Sequence, residues 1–197
     1  MNDEILRLHH YVLCTRTEGP GARAAIWVQG CPNHCVGCAS PDTWSFAEGY
    51  EKRVDELADE IFAVPHLEGV TFAGGEPFCQ AQALASLGRR LQREGLSIIT
   101  FSGYTLADLR DMHEDDVTGL LSVTDVLIDG PYMEELACQD RPLVGSSNQE
   151  YHFLTERYAF LEELWRGGKN KAEVRIMPDG RISVNGMLAL NFMKGLL

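Results

Sequence analysis

The strongest constraint on the fold of this chain is a repeated alternation of short apolar runs with helical segments. Four runs have the length and composition of buried strands: residues 24–29, 69–73, 96–101 and 123–128. Apolar residues recur at helical spacing in residues 51–64 and 80–94, and a short helix is expected through Leu106 and Leu109. Repeated strand–loop–helix units predict a parallel sheet with right-handed crossovers, so we expect an α/β fold.

The C-terminal part departs from this alternation. Residues 159–165 have helical spacing, and residues 172–177 alternate as a strand. Turn residues at 178–180 lead into a second strand at 181–184, which predicts a β-hairpin. We therefore expect a main domain of residues 1–156 and an extension of residues 157–197 that packs on the same domain. The acidic segment 114–116 is interpreted as a solvated loop.

Polar or glycine-rich segments follow each of the four predicted strands. They are the loop that contains Cys31, the Gly74–Pro77 segment, the Ser102–Tyr104 segment and the Asp129–Pro131 segment. Ligands of parallel α/β folds lie beyond the carboxyl ends of the strands. We therefore expect these segments to form a single site.

Cys31, Cys35 and Cys38 share one short loop. A 4Fe–4S cluster held by three cysteines keeps one iron exposed for chemistry, whereas a cluster that only transfers electrons needs four ligands. The alternative is a structural zinc site with His34 as the fourth ligand. His34 directly precedes Cys35, however, and zinc sites of this kind usually pair two short cysteine clusters. We favour the iron–sulfur cluster and interpret His34 as a loop residue.

The three remaining cysteines, Cys14, Cys79 and Cys138, are scattered along the chain. Free cysteine is among the most buried residue types, so each is interpreted as a small core residue. Cys79 is close in sequence to the Gly74–Pro77 segment, which leaves an approach to a cofactor as the alternative for this residue.

The Gly74–Pro77 segment, Gly-Gly-Glu-Pro, has residue types that suit a ligand cradle. Gly74 and Gly75 allow the backbone to approach a ligand closely, and the Glu76 carboxylate suits a ligand ammonium group. Pro77 fixes the backbone and can start a helix. A plain helix-capping loop is the alternative.

The cysteine spacing and the Gly-Gly-Glu-Pro segment resemble the radical S-adenosylmethionine (SAM) superfamily. Residues 18–23 and 42–44 are similar to the glycyl-radical-enzyme activases within it. Residues 101–105, 125–132 and 145–149 are similar to the branch that activates anaerobic ribonucleotide reductase. Two residues depart from these patterns. Ser40 stands where the activases commonly have asparagine, and Val144 stands where the reductase-activating branch usually has arginine.

The resemblance implies a partial (β/α) barrel of the radical SAM type, here with a C-terminal β-hairpin extension. It also implies that SAM binds the exposed iron of a 4Fe–4S cluster held by Cys31, Cys35 and Cys38. A set of residues on the strand-end segments would contact the cofactor: Gly37, Cys38, Ala39, Gly74, Gly75, Glu76, Pro77, Ser102 and Asp129. For Ser102 and Asp129, a helix-cap or turn role is the alternative.

The activity that the resemblance implies is the reductive cleavage of SAM to a 5′-deoxyadenosyl radical. This radical removes a hydrogen atom from a backbone glycine of a partner glycyl radical enzyme, and a flavodoxin-like protein donates the electron. Another glycyl radical enzyme, a peptide or a small molecule is the alternative target. A metal-binding module without enzymatic activity is a more distant alternative. The extension would either dock a partner or cover a sheet edge.

The net charge and the distribution of apolar residues indicate where the protein is located and what it does not bind. A formal net charge of −12 argues against nucleic-acid binding, which needs a basic surface. No apolar stretch reaches the roughly 20 residues of a membrane span, and the N-terminus has no signal pattern. We therefore expect a cytoplasmic protein that binds neither nucleic acid nor membrane.

Overall fold

The structure is a computed structural model that describes residues 4–177, 179–180 and 182–186. Its strands are β1 (Ile5–Thr15), β2 (Arg23–Val28), β3 (Tyr50–Arg53), β4 (Gly69–Gly74), β5 (Ser97–Phe101), β6 (Val126–Asp129), β7 (Glu150–Phe153), β8 (Ala172–Ile176) and β9 (Ile182–Gly186). Its α-helices are α1 (Val54–Phe62), α2 (Ala81–Arg93), α3 (Leu106–Asp111), α4 (Asp115–Val123) and α5 (Glu162–Arg166). None of the described helices is long and apolar enough to cross a membrane.

Seven strands form one sheet in the order β3-β1-β2-β4-β5-β6-β7. Strands β2, β4, β5 and β6 are parallel, which confirms the predicted α/β fold with a sheet built mainly of parallel strands. Antiparallel strands flank this centre, with β1 and β3 on one side and β7 on the other. The carboxyl ends of the four parallel strands therefore share one rim.

The local predictions failed where pairing with a distant strand decides the structure. Residues 51–53 were expected to be helical but belong to β3, because they pair with the first half of β1, and the helix begins at Val54. The acidic segment 114–116 was expected to be a loop, yet it caps and opens α4. Acidic residues in a first turn favour a helix through its dipole. Strands β1 and β7 were not predicted.

Apolar side chains cover both faces of the sheet. The larger core packs α1, α2 and α4 against one face, with Phe72, Leu84, Leu87 and Leu120 fully buried. On the other face, Tyr158 and Trp165 of the C-terminal part pack with Ile99, Val126 and Ile128. A parallel sheet buried on both faces is the usual arrangement for α/β proteins.

A fully buried arginine joins the C-terminal part to the sheet. Arg23 begins β2, at the rim opposite the carboxyl ends of the parallel strands, and donates hydrogen bonds to Thr71 (3.0 Å), Ser97 (3.0 Å) and Tyr158 (3.2 Å). The Tyr158 hydroxyl also donates to the Glu68 carboxylate at 2.8 Å. Because this arginine is desolvated, its hydrogen bonds must satisfy most of its donors, and they fix Tyr158 against the sheet.

The hairpin of β8 and β9 confirms the predicted C-terminal hairpin, although the predicted turn residue Pro178 and strand residue Arg181 lie outside the described residues. Side chains of the hairpin contact the end of β1: Glu173 accepts a hydrogen bond from Thr15, and Asn185 donates to Thr15 and Thr17. In the described residues, β8 and β9 pair with each other and with no edge of the large sheet.

The hairpin therefore packs through its polar face, and its other face is apolar and exposed. Ile176 and Ile182 keep 76% and 58% of their surface accessible, which is unusual for neighbouring strand residues. On the polar face, the nearly buried Glu18 carboxylate accepts hydrogen bonds from the Gly186 amide and the Asn185 side chain. Burial raises the pKa of Glu18 to about 7.

Substitution of Tyr158 by phenylalanine tests the link between the extension and the sheet. Tyr158→Phe removes the hydroxyl that bonds to Arg23, Ser97 and Glu68, so each of these groups loses one of its hydrogen-bond partners. We therefore expect the free energy of unfolding to fall by about 1–3 kcal/mol in chemical denaturation. Phe160→Leu is the control, because this neighbouring side chain is 70% exposed. Equal stability of Tyr158→Phe and wild type would contradict the role of this hydroxyl.

Glu18 predicts a pH dependence of stability. Its pKa of about 7 in the folded protein exceeds the ordinary value of 4.5, so the folded state binds more protons between these values. Stability should therefore fall by up to about 3 kcal/mol as the pH rises from 4.5 through 7. In Glu18→Gln, the free energy of unfolding from chemical denaturation should depend less on pH across this range. An unchanged pH dependence in that variant would refute the assignment of this effect to Glu18.

Candidate functional site

The four polar segments that follow the parallel strands contact one another. The amides of Gly75 and Glu76 donate hydrogen bonds to the carbonyls of Val28 and Gly30, each at 2.8 Å, and so join the end of β4 to the start of the cysteine loop. On the other side, Ser102 N donates to Ile128 O at 2.9 Å, and Gly130 N donates to Tyr104 O at 3.1 Å. The expected gathering of these segments on one rim is what the structure shows.

The cysteine loop is closed by the residues that follow it. The buried Gln29 side chain donates hydrogen bonds to the carbonyls of Asp42 (2.9 Å) and Ser45 (2.8 Å). The amide of Cys31 donates to the carbonyl of Trp44 at 3.1 Å. Gln29 was not singled out in the sequence, although a glutamine that ends an apolar strand is a usable signal for a buried amide that holds a loop.

The three cysteine sulfurs differ in their surroundings. Cys31 is buried, which raises its pKa, and the amides of Asn33 and His34 donate hydrogen bonds to its sulfur. Cys35 and Cys38 are partly exposed, and the Ser40 amide lies 3.4 Å from the Cys38 sulfur. In the part of the chain that the structure describes, no three histidine, cysteine, aspartate or glutamate side chains are close enough to hold a metal ion.

The donor set nevertheless fits an iron–sulfur cluster. Three thiols lie on one loop, and two of the sulfurs already accept backbone N–H groups, the hydrogen bonds that tune such clusters. His34 is exposed, and its ring stacks on Trp44 with the ring centroids 4.8 Å apart. This position agrees with the interpretation of His34 as a loop residue.

Gly74 and Gly75 are required by the close contact between two loops. A side chain at Gly74 would meet the Trp27 backbone at 2.6 Å, and Gly74 also has a positive φ of 104°. A Cβ atom at Gly75 would lie 2.2 Å from the Gly30 carbonyl oxygen. The glycines therefore bring the strand-end loop against the cysteine loop, and their contact with a cofactor stays a prediction.

The Glu76 carboxylate is fully buried and joins three of the four segments. One oxygen accepts hydrogen bonds from Phe78 N (3.0 Å) and Ser102 Oγ (3.1 Å). The other accepts from Gly103 N (2.8 Å) and lies 3.5 Å from the Asn33 amide nitrogen. Burial raises the pKa of Glu76 to about 7. The bond to Phe78 is the helix-capping contact that was the alternative in the sequence, since Pro77 opens a short 3₁₀ helix.

Ser102 and Asp129 also face protein groups. Ser102 donates to Glu76 and accepts a hydrogen bond from Tyr104 N at 3.0 Å. Asp129 accepts from Leu106 N at 2.5 Å, the first amide of α3, and lies 2.8 Å from His152 Nε2. The cap and turn roles are therefore present in the structure, and contacts of these residues with a cofactor stay predictions.

The remaining predicted residues lie around the cysteines. Gly37 has a positive φ of 77°, and a Cβ atom there would approach the Tyr132 ring at 3.1 Å, which explains a glycine before Cys38. Ala39 is exposed next to Cys38. The expectation of a core position is wrong for Cys14 and Cys79, which are exposed. Both lie on elements with one solvent-facing side, β1 and the 3₁₀ helix after Pro77.

The chain matches a known protein family and is similar to two proteins of known description. Residues 17–152 match the family described as 4Fe-4S single cluster domain. The anaerobic ribonucleoside-triphosphate reductase-activating protein of Vibrio cholerae is 33% identical over 159 residues, which cover 76% of this chain and 99% of that protein. The protein of the same description from Salmonella typhi is 30% identical over 160 residues, with the same coverage.

Two further similarities cover less of the compared proteins. The pyruvate formate-lyase 1-activating enzyme of Escherichia coli strain K12 is 32% identical over 149 residues, which cover 72% of this chain and 58% of that enzyme. The crystal structure of QueE from Escherichia coli aligns with a TM-score of 0.44 and 20% identity over 51% of this chain and 53% of that chain. The β8–β9 hairpin lies beyond the family match.

Substitution of Gly75 by alanine tests the contact between the two loops. The added methyl would overlap the Gly30 carbonyl, a backbone atom that cannot move away cheaply, so we expect Gly75→Ala to lower the free energy of unfolding by about 1–3 kcal/mol. Gly167→Ala is the matched control, because a Cβ atom there meets nothing within 4 Å. Equal unfolding midpoints for the two variants in urea would show that the loops are not in close contact.

Proposed function

Because the chain belongs to the 4Fe-4S single cluster domain family and, within it, to the radical SAM activases of glycyl radical enzymes, we propose that it activates an anaerobic ribonucleotide reductase. The chain is a radical SAM enzyme that installs a glycyl radical on this partner. The observation that carries the proposal is the three-cysteine loop at the end of β2, bonded to the Gly-Gly-Glu-Pro segment of β4. The match to almost the full length of reductase-activating relatives supports this target.

The proposed ligands of the 4Fe–4S cluster are Cys31, Cys35 and Cys38, which leave one iron for SAM. The residues proposed to line the SAM site are those around them on the same rim: Gly37, Cys38, Ala39, Gly74, Gly75, Glu76, Pro77, Ser102 and Asp129. When bound, the cluster supplies the electron that cleaves SAM into methionine and a 5′-deoxyadenosyl radical, which removes a hydrogen atom from a glycine of the partner.

The side chains of the chain itself position these groups. Glu76 contributes by joining the loops of the site, since its carboxylate accepts hydrogen bonds from Phe78, Ser102 and Gly103. These bonds hold the cofactor-facing loops at fixed spacing before the ligand binds, which lowers the cost of ordering them. No side-chain general base is required, because a hydrogen atom carries its proton and electron together.

The other parts of the proposal concern the partners and the architecture. A flavodoxin-like protein donates the electron, and the reaction takes place in the cytoplasm, without nucleic acid or membrane. The four parallel strands with their crossover helices correspond to a partial (β/α) barrel of the radical SAM type. Residues 1–156 form the activase domain, and residues 157–197 form an extension on it, which is supported by the buried contacts of Tyr158 and Trp165.

A second target is favoured by one observation. The chain also matches pyruvate formate-lyase activating enzymes at 32% identity, although it spans only 58% of the Escherichia coli enzyme. Another glycyl radical enzyme is therefore the alternative substrate, and the chemistry at the cluster would be the same for both.

Electron paramagnetic resonance tests the proposal. The anaerobically reconstituted chain is incubated with reductant, SAM and the anaerobic ribonucleotide reductase of the same organism, and a persistent glycyl radical that requires every component is expected. Cys31→Ala, Cys35→Ala and Cys38→Ala should each lose the cluster absorbance and the radical, whereas the control Cys79→Ala should keep both. Release of 5′-deoxyadenosine without a glycyl radical would reject this target and retain the SAM chemistry. Full activity of Cys31→Ala would reject the site.

A further inference from the structure

One buried donor beside the cysteines has no acceptor among the described residues. The indole Nε1 of Trp44 is inaccessible to solvent and makes no hydrogen bond. The other two tryptophans of the chain, Trp27 and Trp165, do not share this property. An indole N–H can only donate, so an acceptor on the protein or on a bound group is needed to satisfy it. Buried donors without a partner are rare and costly in native proteins.

Trp44 is part of the cysteine loop by its contacts. Its carbonyl accepts the amide hydrogen of Cys31 at 3.1 Å. Its ring stacks on His34, the residue before Cys35, with the two ring planes 18° apart. His34 itself has a positive φ of 45°, an uncommon conformation for a residue with a side chain. The indole is thus held against the segment that joins the first two cysteines.

The chemistry of the missing acceptor follows from the residues around it. None of the backbone or side-chain oxygens of the described residues bonds this N–H. The acceptors that remain are sulfur atoms, on the cysteines of the loop and in the group that these cysteines would hold. Thiolate and sulfide sulfurs accept N–H hydrogen bonds, and such bonds are among the determinants of the reduction potential of iron–sulfur clusters. In this loop, the Cys31 and Cys38 sulfurs already interact with backbone amides in this way.

We propose that Trp44 is a positioning residue for the cluster, with its indole N–H donating a hydrogen bond to a sulfur of the cluster held by Cys31, Cys35 and Cys38. The inference rests on the proposed function, since it needs the cluster to be present. A hydrogen bond to sulfur stabilises the reduced cluster, which carries more negative charge, relative to the oxidised cluster. Trp44 therefore makes the cluster easier to reduce.

Nitrogen hyperfine spectroscopy tests this bond without any assay of activity. The full-length chain is labelled with ¹⁵N in the indole of tryptophan, reconstituted with iron and sulfide, reduced, and examined by pulsed electron–nuclear double resonance. A ¹⁵N coupling to the cluster is expected for wild type and for the control Trp165→Phe. The coupling should be absent in Trp44→Phe, which keeps an aromatic ring for stacking on His34 but has no N–H.

A redox titration gives the second measurement. At a fixed potential near the wild-type midpoint, the ratio of reduced to oxidised cluster should fall about fivefold in Trp44→Phe, as expected for loss of one net hydrogen bond. Trp27→Phe is the matched control, because Trp27 also stacks on a histidine, His10, with centroids 4.4 Å apart. This control should titrate like wild type.

The outcomes separate this inference from the proposed function. A reconstituted wild-type chain that binds iron and sulfide but shows no tryptophan ¹⁵N coupling would overturn the role of Trp44 and leave the proposed function standing. A wild-type chain that assembles no cluster would overturn the proposed function. Because the labelling experiment on wild type needs no substitution, the test holds even if Trp44→Phe fails to fold.

Discussion

The buried carboxylate of Glu76 is the contact on which the candidate site depends. It accepts hydrogen bonds from the loop after β4 and from the loop after β5, and it lies beside Asn33 of the cysteine loop. A buried carboxylate without donors would be strongly unfavourable, so these loops are held in place by the need to satisfy it. The Glu76 carboxylate thus adds to the backbone hydrogen bonds of Gly75 and Glu76 that position the Gly-Gly-Glu-Pro segment against the cysteine loop.

The opposite rim of the sheet is organised by a buried cation. Arg23 donates hydrogen bonds to groups at the starts of β4 and β5 and to Tyr158, which fixes the C-terminal part on the face away from the main helices. The β8–β9 hairpin adds a polar contact at the same end, through Glu173 and Asn185. These contacts of Arg23 with Tyr158 and of the hairpin with β1 lie at the end of the sheet opposite the cysteines.

The sequence predicted well what depends on local pattern. Buried apolar runs gave β2, β4, β5 and β6, and three- to four-residue spacing gave α2, because these periods follow directly from backbone geometry. It predicted poorly what depends on pairing over distance. The strand of residues 50–53 exists because β1 is beside it, and the cap role of Asp129 depends on α3 lying next to the end of β6. Neither β1 beside residues 50–53 nor α3 beside Asp129 can be predicted from a short stretch of sequence.

By itself, the sequence determined the chemistry that is available: three cysteines on one loop, two glycines that permit close backbone contact, and an order of elements that gathers strand ends on one rim. Only the tertiary structure decided which of the candidate side chains form hydrogen bonds with other groups of the protein. Glu76, Ser102 and Asp129 were all candidates for a ligand, and each forms hydrogen bonds to distant protein groups. The physical reason is that a buried polar group must find its partner, and the fold determines which partner is within reach.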